Sequence, residues 1–74
     1  MVLAMTDTLN GRAAANLRGE IVRRGLTQEQ FADRAGLSRN TLGNLLAGRT
    51  TIDLDRLERF AEILDVEPSK LLND

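Results

Sequence analysis

The sequence predicts an all-α fold: one compact domain of five helices. Its 74 residues suffice for one domain but not for two, since a chain this short buries only about 60% of the surface that it exposes when unfolded. Only two residues are aromatic, and leucine, alanine, isoleucine and valine supply most of the apolar share, which favours packed helices over a β-rich core. A helix-start motif occurs four times, and one further segment has helical periodicity.

The first predicted helix covers about residues 9–24. Ala14, Leu17 and Ile21 stand at helical spacing and therefore lie on one face, and Gly25 can end the helix in a left-handed conformation. Residues 1–8 precede this periodic stretch, and we expect them to form a frayed N-terminal segment. The domain is then expected to span residues 9–74.

The other four predicted helices begin at a repeated motif, in which an apolar residue precedes a capping residue and a second apolar residue follows five positions after the first. The pairs are Leu26 with Phe31, Leu37 with Leu42, Ile52 with Leu57 and Val66 with Leu71, around the caps Thr27, Ser38, Asp53 and Glu67. Thr27 also has Gln30 three residues later, which completes a capping box, and Pro68 suits a first helical position. These starts predict helices at about 28–35, 39–47, 54–64 and 68–72.

The charges are unevenly distributed along the chain. Residues 1–50 contain seven arginines and four acidic residues, a net charge of +3, whereas residues 51–74 contain three basic and seven acidic residues, a net charge of −4. The first part can therefore face phosphate, and the second part cannot.

The composition also excludes several classes of protein. Without cysteine or histidine, the chain lacks the usual zinc ligands and the most common general base, so we expect no metal, cofactor or small-molecule ligand. No apolar run approaches the roughly 20 residues of a membrane span, and no signal peptide is recognisable, so a cytoplasmic location is expected.

Asp55, Glu58, Glu62 and Asp65 form an acidic stripe, which we interpret as a solvated face rather than a catalytic pair. We predict that the protein is not an enzyme.

Residues 28–47 predict two short helices joined by a tight turn. Such a crossing needs a small residue where the helices meet, a residue that tolerates positive φ at the turn, and an apolar anchor from the second helix. Ala32, Gly36 and Leu42 meet these requirements in that order. This segment is the candidate site of function.

A wider pattern runs through residues 14–72. It consists of residues 23–28, 31–32, 35–38, 41–42 and 48–49, together with Leu54, Leu57, Ala61, Leu64 and Val66. In these residues the chain resembles the Cro/C1-type, lambda-repressor-like helix-turn-helix family of phage and bacterial regulators. The resemblance implies that the second and third helices form the helix-turn-helix and that the third enters the major groove of DNA.

The resemblance also implies roles for individual residues. The base-reading candidates are Ser38, Arg39, Asn40 and Asn44. Arginine can bridge the two acceptors of guanine, and asparagine can pair with adenine through two hydrogen bonds. The candidates for contacts at the groove margin or the DNA backbone are Thr27, Gln28, Thr41, Arg49 and Thr50. Flanking phosphate contacts are expected from Arg12, Arg18, Arg23 and Arg24.

Four residues depart from the family pattern. Gly43 lies inside the recognition helix at a cost of about 1 kcal/mol relative to alanine, and it either permits a closer approach to DNA or is simply tolerated. Leu46 and Ala47 stand where the family usually has polar or charged residues. Asp65 replaces a glycine that is common after the fourth helix.

The predicted function is therefore transcription regulation, by a Cro-like or other small repressor. The resemblance implies a homodimer on a pseudo-palindromic operator of double-stranded DNA. Leu46, Ile63 and Leu72 are candidate dimer contacts, with packing inside the domain as the alternative. The competing hypothesis is a protein-interaction module, such as an antitoxin-like or adaptor domain. A DNA reader should gather Gln28, Arg39, Asn40, Asn44 and Arg49 on one surface, whereas an interaction module should expose a large apolar patch on the last two helices.

Overall fold

The computed structural model describes residues 8–73, which contain four α-helices and one 3₁₀ helix. In chain order these are α1 at Leu9–Arg23, α2 at Gln28–Ala35, α3 at Arg39–Leu46, α4 at Leu54–Leu64 and the 3₁₀ helix at Pro68–Leu71. The described residues include no strand, so the all-α prediction is confirmed. None of these helices is both long and apolar enough to cross a membrane. The segment predicted to be frayed lies outside the described residues, except for Thr8.

The prediction of a fifth α-helix is wrong, because Pro68–Leu71 forms a single turn of 3₁₀ helix. Lys70 donates its backbone N–H to the carbonyl of Glu67, three residues back, as 3₁₀ geometry requires. Glu67 makes no side-chain cap, and one isolated turn is too short for cooperative α-helix formation. The Asn16 side chain instead donates to the carbonyl of Leu71 at 3.0 Å, which ties this turn to α1.

Each α-helix begins at a side-chain cap. Thr8, Thr27, Ser38 and Asp53 accept a hydrogen bond from the backbone N–H three residues further on. The predicted capping box is present, since the Gln30 side chain also accepts a hydrogen bond from the backbone N–H of Thr27 at 2.9 Å. Each such cap contributes about 1 kcal/mol to helix stability, so the helix starts are fixed by local interactions.

Each α-helix is followed by a residue with positive φ, and these residues are Gly25, Gly36, Gly48 and Asp65. Gly36 follows α2 with a φ of 69°, a conformation that glycine adopts without steric cost. Asp65 follows α4 with a φ of 56°, which makes it the non-glycine residue with positive φ in the described part of the chain. Asp65 therefore takes the left-handed conformation that the glycine of the family pattern would take.

The core lies where all four α-helices and the 3₁₀ helix meet. Phe31 of α2 and Phe60 of α4 are its largest side chains, and their rings pack edge to face with centroids 5.4 Å apart. Leu46 is only 3% exposed and packs in this core, which for this residue favours packing inside the domain over a dimer contact. Ile63 and Leu72 are half-buried against the core and retain some accessible surface.

Candidate nucleic-acid interface

The helix-turn-helix consists of α2, the connection at residues 36–38, and α3. The turn closes when the backbone N–H of Leu37 donates to the carbonyl of Ala32 at 2.9 Å. Leu42, on the inner face of α3, is completely buried and anchors this helix against the rest of the domain. Because Leu42 faces inward, the opposite face of α3 is directed to solvent.

An open depression lies along that outer face. It is lined by Gln28, Arg39, Asn40, Gly43, Asn44, Ala47 and Arg49. The structure thus brings together the five polar residues that the sequence analysis expected on one surface. Among the described residues, two guanidinium groups and no carboxylate line the depression, so its local charge is positive although the whole chain has a formal net charge of −1.

Two candidate base-reading residues at the start of α3 have no side-chain partner among the described residues. Arg39 and Asn40 are exposed, and no side-chain hydrogen bond or ion pair involves either of them among residues 8–73. Their side chains can therefore bind a ligand without first breaking an interaction within the domain.

Three hydroxyl-bearing candidates have structural roles instead. The Ser38 hydroxyl accepts the backbone N–H of Thr41 at 3.0 Å and donates to the Thr41 hydroxyl at 2.8 Å. The Thr27 hydroxyl caps α2. None of the three lines the depression, although each is adjacent in the sequence to a residue that does.

The end of α3 carries two further candidates. Gly48, with a φ of 75°, reverses the chain and directs Arg49 back toward Asn44. Arg49 donates from its backbone N–H to the Asn44 carbonyl at 3.0 Å and from Nη1 to Asn44 Oδ1 at 2.9 Å. Arg49 and Asn44 therefore form one unit rather than two separate side chains.

Asn10 of α1 holds the loop that follows, a role that the sequence analysis missed. Its Nδ2 donates to the carbonyl of Thr50 at 3.4 Å, and its Oδ1 accepts the backbone N–H of Ile52 at 2.9 Å. These contacts join residues about 40 positions apart, so no local pattern could reveal them. Thr50 is exposed and lies outside the depression.

Of the four arginines predicted to flank the site, three belong to α1 and Arg24 directly follows it, and none of them lines the depression. Arg18 donates to the carbonyl of Leu46 at 3.2 Å and so caps the end of α3, where a positive charge is favourable. Arg23 forms an ion pair with the buried carboxylate of Glu20 at 2.6 Å. Arg24 lies 3.9 Å from the same carboxylate, and Arg12 is half-buried.

The acidic stripe of the sequence is divided in the structure. Glu58, Glu62, Asp65 and Glu67 line a second depression beside the end of α4, and no basic residue is among the described residues that line it. Asp55 lines a different depression, together with Arg56 and Arg59. The basic and acidic depressions therefore lie on different parts of the surface, one on α2 and α3 and one on α4.

Comparisons with known proteins agree with this architecture. A family model described as helix-turn-helix matches residues 17–71. The crystal structure of the restriction-modification controller protein C.AhdI from Aeromonas hydrophila is similar at 32% identity with a TM-score of 0.76, over 85% of this chain and 94% of that one. A hypothetical transcription factor, NHTF from Neisseria, is similar at 29% identity with a TM-score of 0.82, over 99% of this chain and 83% of that one. No match was found among curated protein sequences.

The match to the family model covers most of the chain, including all of α2, α3 and α4. The controller protein independently shares about a third of its residues with this chain over nearly its whole length. The chain therefore belongs to the Cro/C1-type helix-turn-helix family of DNA-binding transcription regulators.

Proposed function

We propose that this protein is a small repressor, which binds a pseudo-palindromic operator as a homodimer and so blocks transcription. The observation that carries the proposal is the positive depression on the outer face of α3, where Arg39, Asn40 and Asn44 lie beside Gln28 and Arg49. The similarity to a restriction-modification controller and to a transcription factor supports a regulatory role. In this proposal the protein acts in the bacterial cytoplasm.

In the proposed complex, α3 lies in the major groove, whose width accommodates an α-helix. Arg39 and Asn40 in its first turn then contact base edges. Neither side chain has a hydrogen bond or ion pair among the described residues that DNA would have to displace. Gln28 lies at the start of α2, where free backbone N–H groups favour a phosphate. The two kinds of contact have different effects, because contacts to base edges specify the DNA sequence and contacts to phosphates fix the position of the protein.

The proposed dimer places two recognition helices about 34 Å apart, one turn of DNA. With Leu46 in the core, Ile63 and Leu72 are the two candidate contacts that keep accessible surface. Both side chains are partly buried and pack against the core cluster. In the proposed dimer, the second subunit covers the surface that they leave accessible.

Selection of binding sites from a random duplex library tests this function. We expect an inverted repeat to be enriched, because two-fold related subunits read two-fold related half-sites. A single half-site would contradict the homodimer and leave a monomeric DNA reader. If no sequence is enriched even at low salt, the protein-interaction module becomes the better explanation.

Arg49→Ala is expected to reduce the salt dependence of DNA binding. The slope of log affinity against log salt should fall by about 1, because one phosphate contact and its counterion are lost. Fluorescence anisotropy at several salt concentrations measures this slope. Arg59→Ala removes the same charge from α4, away from the depression, and should leave the slope unchanged. Equal slopes for Arg49→Ala and Arg59→Ala would exclude a phosphate contact by Arg49.

Gly43→Ala is expected to stabilise the fold and weaken DNA binding. A Cβ atom at Gly43 meets nothing within 4 Å, so alanine should raise the free energy of unfolding by about 0.5–1 kcal/mol. Gly19, in α1, also has nothing within 4 Å of an added Cβ, so Gly19→Ala should give the same gain.

The two variants should differ on DNA, since only Gly43 lines the depression. Thermal unfolding followed by anisotropy on the selected duplex makes the comparison. If both variants bind as the wild type does, Gly43 is merely tolerated in α3 and does not serve a close approach to DNA.

A further inference from the structure

We infer that Arg49 is a positioning residue for Asn44, and that this pair reads guanine rather than adenine. The inference rests on the proposed function and deepens it, since it assigns a base preference to one residue of the same site. The observation behind it is the hydrogen bond from Arg49 Nη1 to Asn44 Oδ1 at 2.9 Å.

Hydrogen bonds hold the backbone at Arg49 and just after it. Its backbone N–H is bonded to the Asn44 carbonyl at 3.0 Å, after the reversal at Gly48. Just beyond it, Asn10 fixes the backbone at Thr50 and Ile52. The guanidinium group therefore reaches Asn44 from a backbone that is held by hydrogen bonds on both sides of Arg49.

This contact decides how the Asn44 amide is oriented. A guanidinium group has five N–H donors and no acceptor, so the Asn44 atom that faces it must be the oxygen. The amino group of Asn44 then points away from Arg49. No hydrogen bond within residues 8–73 uses that amino group, so it is available to a ligand in the depression.

The orientation disfavours adenine. Adenine pairs with asparagine when the amide oxygen accepts from the N6 amino group and the amide amino group donates to N7. At Asn44, the oxygen has one lone pair left, but that lone pair lies next to the cationic guanidinium group and its remaining N–H donors. The adenine amino group would therefore meet donors and a positive charge, where it needs a free acceptor.

Guanine fits the same arrangement. Its major-groove edge presents two acceptors, N7 and O6, and no donor. The Asn44 amino group has two N–H donors, and Arg49 holds it in the orientation that presents them to these acceptors. The remaining N–H groups of Arg49 are left for the proposed phosphate contact. A hydrogen-bonded fit of this kind discriminates between bases by about tenfold or more.

Asn40 provides an internal comparison, one helical turn before Asn44 on the same helix. Its side chain is exposed and has no partner within the described part of the chain. Asn40 can therefore present its oxygen and its amino group together, and it remains a candidate reader of adenine.

The experiment is a selection from random duplexes with four forms of the full chain: wild type, Asn40→Ala, Asn44→Ala and Arg49→Met. The two alanine variants identify the base positions that Asn40 and Asn44 read, because each should relax one position. Arg49→Met keeps most of the aliphatic stem but has no donor. Low salt compensates for the lost charge, and circular dichroism verifies that each variant is folded.

We expect the wild type to select guanine over adenine about tenfold at the Asn44 position. Arg49→Met should reverse this preference toward adenine and leave the Asn40 position unchanged. If Arg49→Met binds too weakly for selection, the base that the wild type prefers at the Asn44 position decides the test. Guanine at that position supports the inference.

Three results overturn the inference while the proposed function stands. They are a wild-type preference for any base other than guanine at the Asn44 position, an unchanged preference in Arg49→Met, and an Asn44→Ala variant that relaxes no position. Failure of the wild type to enrich any sequence is a different outcome, since it overturns the proposed function and this inference with it.

Discussion

Phe60→Ala is expected to lower the free energy of unfolding by about 3–5 kcal/mol. The Phe60 side chain is 1% exposed, and its ring packs edge to face against Phe31, so truncation removes buried apolar surface and leaves a cavity between α2 and α4. Natural domains are stable by only about 5–15 kcal/mol, and a domain of this size has a small core. We therefore expect a measurable unfolded population of this variant at room temperature.

Urea unfolding followed by far-ultraviolet circular dichroism measures this effect. Leu54→Ala is a suitable control, because Leu54 lies on the same helix but is 77% exposed, and its replacement should change stability by no more than about 0.5 kcal/mol. A loss from Phe60→Ala as small as that of the control would contradict the central packing role of the ring pair.

Arg39→Ala is expected to weaken binding to the selected operator by about 1–3 kcal/mol, or roughly 5- to 150-fold, and to relax one base position. The proposed reason is the loss of the two hydrogen bonds that arginine makes to guanine. Because the Arg39 side chain is exposed and unpaired among the described residues, its removal should leave the stability of the fold unchanged. The effect is then one of recognition alone.

Anisotropy on the selected duplex and on a scrambled duplex separates recognition from general attraction. Arg39→Ala should lose more affinity on the selected duplex than on the scrambled one. Arg59→Ala, which removes the same charge from an ion pair on α4, should lose little on either. Equal losses of Arg39→Ala on both duplexes would rule out base reading by this residue.

The helix starts were predictable because their signals are local. Thr27 with Gln30 and Ser38 with Thr41 interact three residues apart, which a sequence displays directly. The last helix was not predictable in the same way. A proline and an apolar pair predict an α-helix there, but the segment forms one 3₁₀ turn whose Leu71 carbonyl is bonded to Asn16 of α1, 55 positions away.

The candidate site likewise has features that the sequence predicts and features that depend on contacts between distant residues. The polar residues of α3 were predicted as candidates from the resemblance to the helix-turn-helix family, whose motif covers this one short helix. The contacts of Arg18 with Leu46 and of Asn10 with Thr50 join positions 28 and 40 residues apart, and only the tertiary fold brings them together. The burial of Leu46 has the same origin, since α1 covers the end of α3.

The two faces of α3 have an evolutionary consequence. Leu42, Leu45 and Leu46 are buried and hold the helix in the domain, whereas Arg39 and Asn40 are exposed and support nothing else in the described structure. Exchanging the exposed pair therefore leaves the packing intact. If these residues read bases as proposed, a lineage of such proteins can change its operator by single substitutions while each intermediate still folds. The recognised DNA sequences can then diversify faster than the fold that carries α3.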